Sequence, residues 1–139
     1  MKATDLMSGD WVQHEEGICK VVSIALDGIY FEDSISEGVA SFGRIKPIPI
    51  TPEILENNGF GLTIYPGYKM FVFSERDNDY LPKWSAVLLL EGKFFEAHIM
   101  RIIPGPTKRE NRIRLYDLMY VHELQHALRN VGIEKEIVL

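Results

Sequence analysis

The residues whose types and spacing promise the most chemistry are His122-Glu123-Leu124-Gln125-His126. The string matches H-E-x-x-H, in which two imidazoles one helical turn apart bind Zn²⁺ and the glutamate acts as general base of a metallohydrolase. Two ligands do not complete such a centre. Only 13 residues follow His126, and among them Glu134 and Glu136 are the candidate donors. The metzincin continuation fails, because Glu134 and Lys135 stand after Gly132 where a third histidine is needed. A donor from upstream, such as His98, Glu96 or Asp117, would depart from the familiar arrangement.

The same stretch has a second account that requires no metal. At about 100° per residue, Val121, Leu124, Ala127, Leu128 and Val131 fall within one arc of roughly a third of a turn. This predicts an amphipathic helix from Tyr120 or Val121 to Asn130, closed by Gly132, that buries its apolar arc and turns His122 and His126 to water. On this account the protein has no cofactor and no catalytic residue. The alternative keeps zinc, with His122 and His126 as ligands and Glu123 as base. A histidine pair at this spacing also chelates stray Zn²⁺ or Ni²⁺ without catalytic purpose.

Two other groups could recognise a partner. Lys108-Arg109-Glu110-Asn111-Arg112-Ile113-Arg114 holds four basic residues in seven. On a strand, Arg112, Arg114 and Tyr116 share one face, which would offer guanidinium groups to phosphates and a ring to a base. The competing account is a solvated edge whose charges discourage edge-to-edge pairing. Trp11, Tyr30, Phe31 and Phe42 could line a peptide groove, or could fill a small core.

Composition narrows the setting of these residues. The chain of 139 residues, 46% apolar and 25% charged, is long enough to build a core without metal or disulfide. Its single cysteine, Cys19, lies in an apolar alternating run and reads as a core thiol. The start of the chain lacks a signal-peptide apolar region and no window reaches membrane-span length, so a cytoplasmic protein without membrane contact is expected. Net charge is −5 and uneven: residues 1–45 carry 3 basic and 8 acidic side chains, whereas 101–139 carry 7 and 5. The acidic front opposes nucleic-acid binding there; only the last third could offer a basic patch. No P-loop, dinucleotide-binding glycine pattern or nucleophile elbow is present.

The elements that must position these residues follow from pattern. Asp10 to Gln13, Ile18 to Ile24 and Ile29 to Glu32 read as short strands, joined by His14-Glu15-Glu16-Gly17 and Asp27-Gly28, with an edge strand near Val39 to Phe42. Such a run suits an SH3-like small β-barrel unit over 1–45. Lys46-Pro47-Ile48-Pro49-Ile50 is expected as an extended surface connector rather than a central strand. Thr51 as N-cap, Pro52 at the first position and Asn58-Gly59 as the stop predict a short helix.

Tyr68 to Phe73, Trp84 to Leu90, Lys93 to Arg101 and Arg112 to Met119 are strand candidates, with Ser74 to Tyr80 as a polar loop, Glu91-Gly92 as a hairpin turn and Pro104-Gly105-Pro106 as a reversal. After the C-terminal helix, Ile133 to Leu139 can return as a last strand. The predicted fold is therefore α+β: the barrel-like unit over 1–45, then an antiparallel β meander with a short central helix and a C-terminal helix over 46–139, the two sharing one core.

Three stretches also carry a resemblance: KATDLMSGDWV at the start, PIPITPEILENNGF in the middle and YVHELQHALRNVGI near the end. Together they resemble uncharacterised small proteins of Bacteroides-type prophages and mobile elements, over nearly the whole length. In that group's signature a Tyr-Val-His-x-Leu-Gln core corresponds to Tyr120, Val121, His122, Leu124 and Gln125, while the place of His126 is often not histidine. The resemblance implies that the second imidazole is a local feature, and it transfers no catalytic residue. The function expected from all of this is a non-enzymatic interaction module with a protein or nucleic-acid partner, engaged through Trp11 and Tyr30 or through Arg112, Arg114 and Tyr116. The alternative is the zinc-dependent metallohydrolase.

Overall fold

The computed structural model describes residues 1–15, 17–33, 36–76, 82–103, 105–107 and 109–139. It is an α+β protein dominated by two antiparallel five-stranded sheets with two α-helices. Two compact units are formed: Met1–Pro49 with Tyr120–His122 and Leu139, and Ile50–Met119 with Glu123–Val138. No helix among the described residues is long and apolar enough to cross a membrane.

The first unit holds β1 (Trp11–His14), β2 (Gly17–Ile24), β3 (Gly28–Glu32), β4 (Glu37–Ser41) and β5 (Ile45–Pro47), in the order β4-β3-β2-β1-β5. Alternation dictates which side chains go inward. Val12, Cys19, Val21, Ile29, Phe31, Ala40 and Ile45 enclose a core with Leu6, while Ile18, Lys20, Val22, Tyr30 and Val39 point away. A bulge between Val21 and Ser23 shifts the register with β3, and the buried row of β2 ends at Val21. The buried Asp10 organises the entry to β1: its carboxylate accepts from Met7 N at 2.7 Å and its carbonyl from Val21 N at 2.8 Å. A 3₁₀ turn, Phe42–Arg44, leads into β5. No pairing between β4 and β5 closes this sheet among the described residues.

The proline-rich connector behaves differently from a surface tether. Its first part is β5, which among the described residues is an edge strand paired only with β1, where the missing donor of Pro47 is tolerated. Ile48 and Ile50 are buried at 8% and 7% exposure, so the connector delivers apolar side chains rather than running over the surface.

The second unit opens with α1 (Pro52–Asn57), built as the capping residues require: Thr51 Oγ1 accepts from Ile54 N at 3.2 Å, and Gly59 takes φ 87° after Asn58. Its sheet is a meander, β6 (Gly61–Tyr65), β7 (Tyr68–Arg76), β8 (Pro82–Glu91), β9 (Phe94–Ile103) and β10 (Arg109–Leu118), in the order β10-β9-β8-β7-β6. Five strands form where sequence pattern indicates three or four. The one not anticipated, β6, is exposed at every residue and so lacks the buried alternation that betrays a strand. The hairpin between β8 and β9 turns on Gly92-Lys93, with Glu91 opposite Phe94, one residue later than the Glu91-Gly92 expectation. Ser74 to Arg76 belong to β7; the rest of the expected polar loop, 77–80, lies outside the described residues, as do Glu16, Pro104 and Lys108. The inward row includes Phe71, Trp84, Ala86, Leu88, Phe95, Ala97 and Ile99, with Phe73 stacked on Trp84 at 5.0 Å.

The helix α2 (Val121–Asn130) has the expected limits and ends at Gly132 with φ 80°. Ile133 to Leu139 do not form the last strand expected of them and pair with neither sheet. Side-chain amides replace the ladder. Gln125 Nε2 donates to Lys135 O at 3.0 Å and Gln125 Oε1 accepts from Ile137 N at 2.7 Å; Asn58 Nδ2 and Oδ1 bond Val138 O and N at 2.9 and 2.8 Å.

Cys19 is a core thiol, 2% exposed. Burial, reinforced by the charge of Asp33, pushes its pKa from 9.0 up to about 11. The folded state therefore keeps a proton that the unfolded state loses. The neutral thiol's contribution to stability is complete below pH 9 and fades as pH rises from 9 to 11. Alkylation by iodoacetamide at pH 8.5 should be slowed at least tenfold in the native chain relative to the chain in denaturant. Equal rates would show that Cys19 is accessible.

Candidate functional site

The H-E-x-x-H helix distributes its residues among different structural tasks. His122 is 7% exposed, which corrects the expectation that both imidazoles face water. The wheel misjudged it because α2 buries far more than one arc: Val121, Leu124, Gln125, Ala127 and Leu128 are buried as well. The His122 ring stacks on Tyr120 with centroids 5.9 Å apart and planes 12° from parallel. Glu123 Oε2 accepts from Met119 N at 3.0 Å, so the would-be general base holds the chain entering the helix, where the dipole also favours a carboxylate. Leu124 is core at 1% exposure, and Gln125 anchors the tail.

His126 is half-buried and lines a shallow cleft of about 240 Å3 with Glu123, Asp117 and Tyr116. Asp117 takes φ 56° there, beside the bulge that separates Leu115 from Leu118 in the pairing with β9. Among the described residues no three His, Cys, Asp or Glu side chains gather closely enough to hold a metal ion. Gln125 stands in the Tyr-Val-His-x-Leu-Gln core of the resembling group, but its role in holding the tail appears only with its 4% exposure and its bonds to Lys135 and Ile137.

The arginines of the basic strand are paired with carboxylates of β10 and β9. Arg112 reaches Glu110 Oε2 through Nη2 at 2.6 Å and Nε at 2.8 Å. Arg114 reaches Glu96 Oε1 through Nη2 at 2.6 Å and Nε at 2.9 Å, and His98 Nε2 lies 3.3 Å from the same oxygen. The Arg114 hydrogen bond holds the Glu96 carboxyl below the usual carboxylate range. Tyr116 is exposed, with the Arg114 guanidinium 4.9 Å from its ring centroid. The three residues thus adjoin as expected, but both guanidinium groups already have carboxylate partners.

The N-terminal sheet also offers an apolar surface. On its outward face Ile18, Val22, Tyr30 and Val39 are 49%, 48%, 53% and 67% exposed. Val22, Tyr30 and Val39 line a groove of about 560 Å3 whose polar wall is Glu32 and Glu37. Trp11 lies beside Lys20, whose Nζ is 5.7 Å from its ring, and does not line this groove. Of the four aromatics considered from sequence, Tyr30 faces the groove and Phe31 closes it from the core side, 8% exposed. Gly38 makes room: a side chain there would meet the Phe31 ring.

No protein-family model, curated protein or solved structure matches the chain.

Proposed function

We propose that the protein is a non-enzymatic interaction module of a prophage or other mobile element, working in the cytoplasm and binding a protein partner through the outward face of β2, β3 and β4. One observation carries this: four apolar side chains stand at least 48% exposed on adjoining strands, three of them lining a groove bordered by two carboxylates. Contiguous apolar surface with a charged border is characteristic of partner recognition. The carboxylates favour an extended segment that mixes apolar and basic residues. The order β4-β3-β2-β1-β5, with a 3₁₀ turn before the last strand, supports classing this sheet as an SH3-like unit, a fold that serves many binding tasks.

A nucleic-acid partner at Arg112 and Arg114 is less favoured. Phosphates would have to displace Glu110 and Glu96, each of which accepts two N–H bonds on one oxygen, with little gain from the few cations of an acidic protein. The zinc-hydrolase alternative is disfavoured by the burial of His122 and by the engagement of Glu123 with Met119.

Selection of peptides on the purified chain tests the proposal. Enriched sequences should be apolar and basic, Tyr30→Ala should weaken their binding at least tenfold, and Arg112→Ala with Arg114→Ala should leave it unchanged. His126→Asn should leave peptide binding unchanged. Nucleic-acid binding that falls steeply with salt and is lost with the two arginines would overturn the proposal.

A further inference from the structure

At one end of the second sheet the inward row changes character. Glu75, Trp84 and Arg101 stand opposite one another across β7, β8 and β9, two residues beyond the apolar row of Phe73, Ala86 and Ile99. They open onto a cleft of about 420 Å3, completed by Phe73, Lys83 and the chain from Gly132 to Lys135.

Two cations in this cleft lack a carboxylate. Arg101 is half-buried, and among the described residues its guanidinium makes no hydrogen bond or ion pair. It lodges beneath Gly132, where a Cβ would overlap Nη1, so the glycine at this turn lets a guanidinium lie against the backbone. Lys135 places its ammonium 4.1 Å from the Phe73 ring centroid, and burial lowers its pKa. The carboxylates nearby are committed or turned outward. Glu75 accepts from Trp84 Nε1 at 2.9 Å and lies 3.8 Å from Lys83, while Glu134 is exposed at the wall. Charges held partly out of water without counter-ions favour a bound anion.

We propose that this cleft binds a monoanionic carboxylate with an apolar body, the carboxylate between Arg101 and Lys135 and the body against the Phe73 ring. The planar guanidinium fork matches a carboxylate, and the volume lies in the range of small-ligand sites. Glu75 and Glu134 in the walls disfavour a dianion such as phosphate. The carboxylate belongs either to a free organic acid or to the C-terminus of a peptide. The site lies wholly within the second unit and does not depend on the partner proposed for β2, β3 and β4.

The test is a titration of the full ¹⁵N-labelled chain, following the Trp84 indole N–H, assigned with Trp11→Phe. The probes are phenylacetate, an N-acetylated Ala-Ala-Phe peptide with a free C-terminus, the same peptide amidated, and inorganic phosphate. At least one free carboxylate should shift the Trp84 resonance saturably, whereas the amide and phosphate should bind at least tenfold more weakly. Saturation by phenylacetate identifies a free acid as sufficient; saturation by the peptide alone identifies a C-terminus. Arg101→Gln and Lys135→Gln should each weaken binding at least tenfold while leaving the Trp11 indole in place. If Arg101→Gln fails to fold, Lys135→Gln, outside any helix or strand, carries the test. No saturable shift, equal binding of the amide or phosphate, or unchanged affinity in the folded variants would overturn the proposal.

Discussion

Replacing Gln125 by leucine is expected to destabilise the protein by roughly 3 kcal/mol, although leucine has the better helix propensity and the side chain is only 4% exposed. The reason lies in the last residues. A chain that leaves the sheet must find other partners for its backbone N–H and C=O groups. Gln125 supplies one donor and one acceptor two residues apart in the tail, to Lys135 O and Ile137 N, much as a neighbouring strand would. Asn58 does the same for both groups of Val138, and its Nδ2 also reaches Ile54 O at 2.8 Å, tying the tail to the last turn of α1.

Leucine at 125 would leave the Ile137 N–H and the Lys135 carbonyl without these partners, each omission costing about 1–3 kcal/mol where water is excluded. Ile133 and Ile137, at 2% and 1% exposure, would lose the geometry that buries them. Urea unfolding should show a lower midpoint at similar slope, and the Ile137 amide should lose most of its protection from hydrogen exchange in the native state. An unchanged midpoint with Ile137 still protected would refute the assignment of Gln125 as the tail's anchor.

This anchor explains why the helix was legible and its meaning was not. Tyr120 to Gly132 gave the correct helix limits because the period of the apolar residues and the positive φ of Gly132 are local properties. The burial of His122 and Gln125 is not local; it depends on what stands against the rest of the helix surface. The same division runs through the chain. Thr51, Pro52 and Asn58-Gly59 marked α1 because capping is written in adjacent residues. The amide of Asn58 reaches Val138 across 80 positions, and no spacing rule anticipates that. Arg112 and Arg114 were correctly placed on one strand face with Tyr116 following. The neutralisation of Arg114 was not apparent, because Glu96 belongs to the neighbouring strand, opposite Leu89 on its other side and beside the His98–Arg114 pair; Glu110, the partner of Arg112, stands two residues before it on the same strand. The exposed stripe of Val22, Tyr30 and Val39 was half visible: Tyr30 was a candidate, but Val22 and Val39 read as ordinary strand residues, and it is the pairing of Tyr30 with Val39 and the bulge at Val22 that bring them to one groove.

Gly28→Ala is expected to destabilise the first unit by about 3 kcal/mol, the upper part of the range for overpacking, because the obstruction is backbone. Asp27-Gly28 looks like a hairpin turn in the sequence, which would make this glycine a matter of φ. The structure gives it another role. Gly28 is buried, is absent from the glycines with positive φ, and pairs with Ser41 at the junction of β3 and β4. A Cβ there would overlap the Ala40 carbonyl oxygen and stand 3.0 Å from Ser41 Cα. A side-chain tip could swing aside; a strand carbonyl cannot do so without opening the pairing between β3 and β4. Because Glu37, Gly38 and Val39 of β4 line the groove proposed to bind a partner, the substitution should also weaken peptide binding at least tenfold at a temperature where the variant remains folded. Gly43→Ala is the matched control, since a Cβ at that position meets nothing within 4 Å. Thermal unfolding of the two variants side by side separates a steric requirement from a general cost of losing glycine. If Gly43→Ala falls as far as Gly28→Ala, or if Gly28→Ala keeps the melting temperature of the parent chain, the close approach of β4 to β3 is not what this glycine serves.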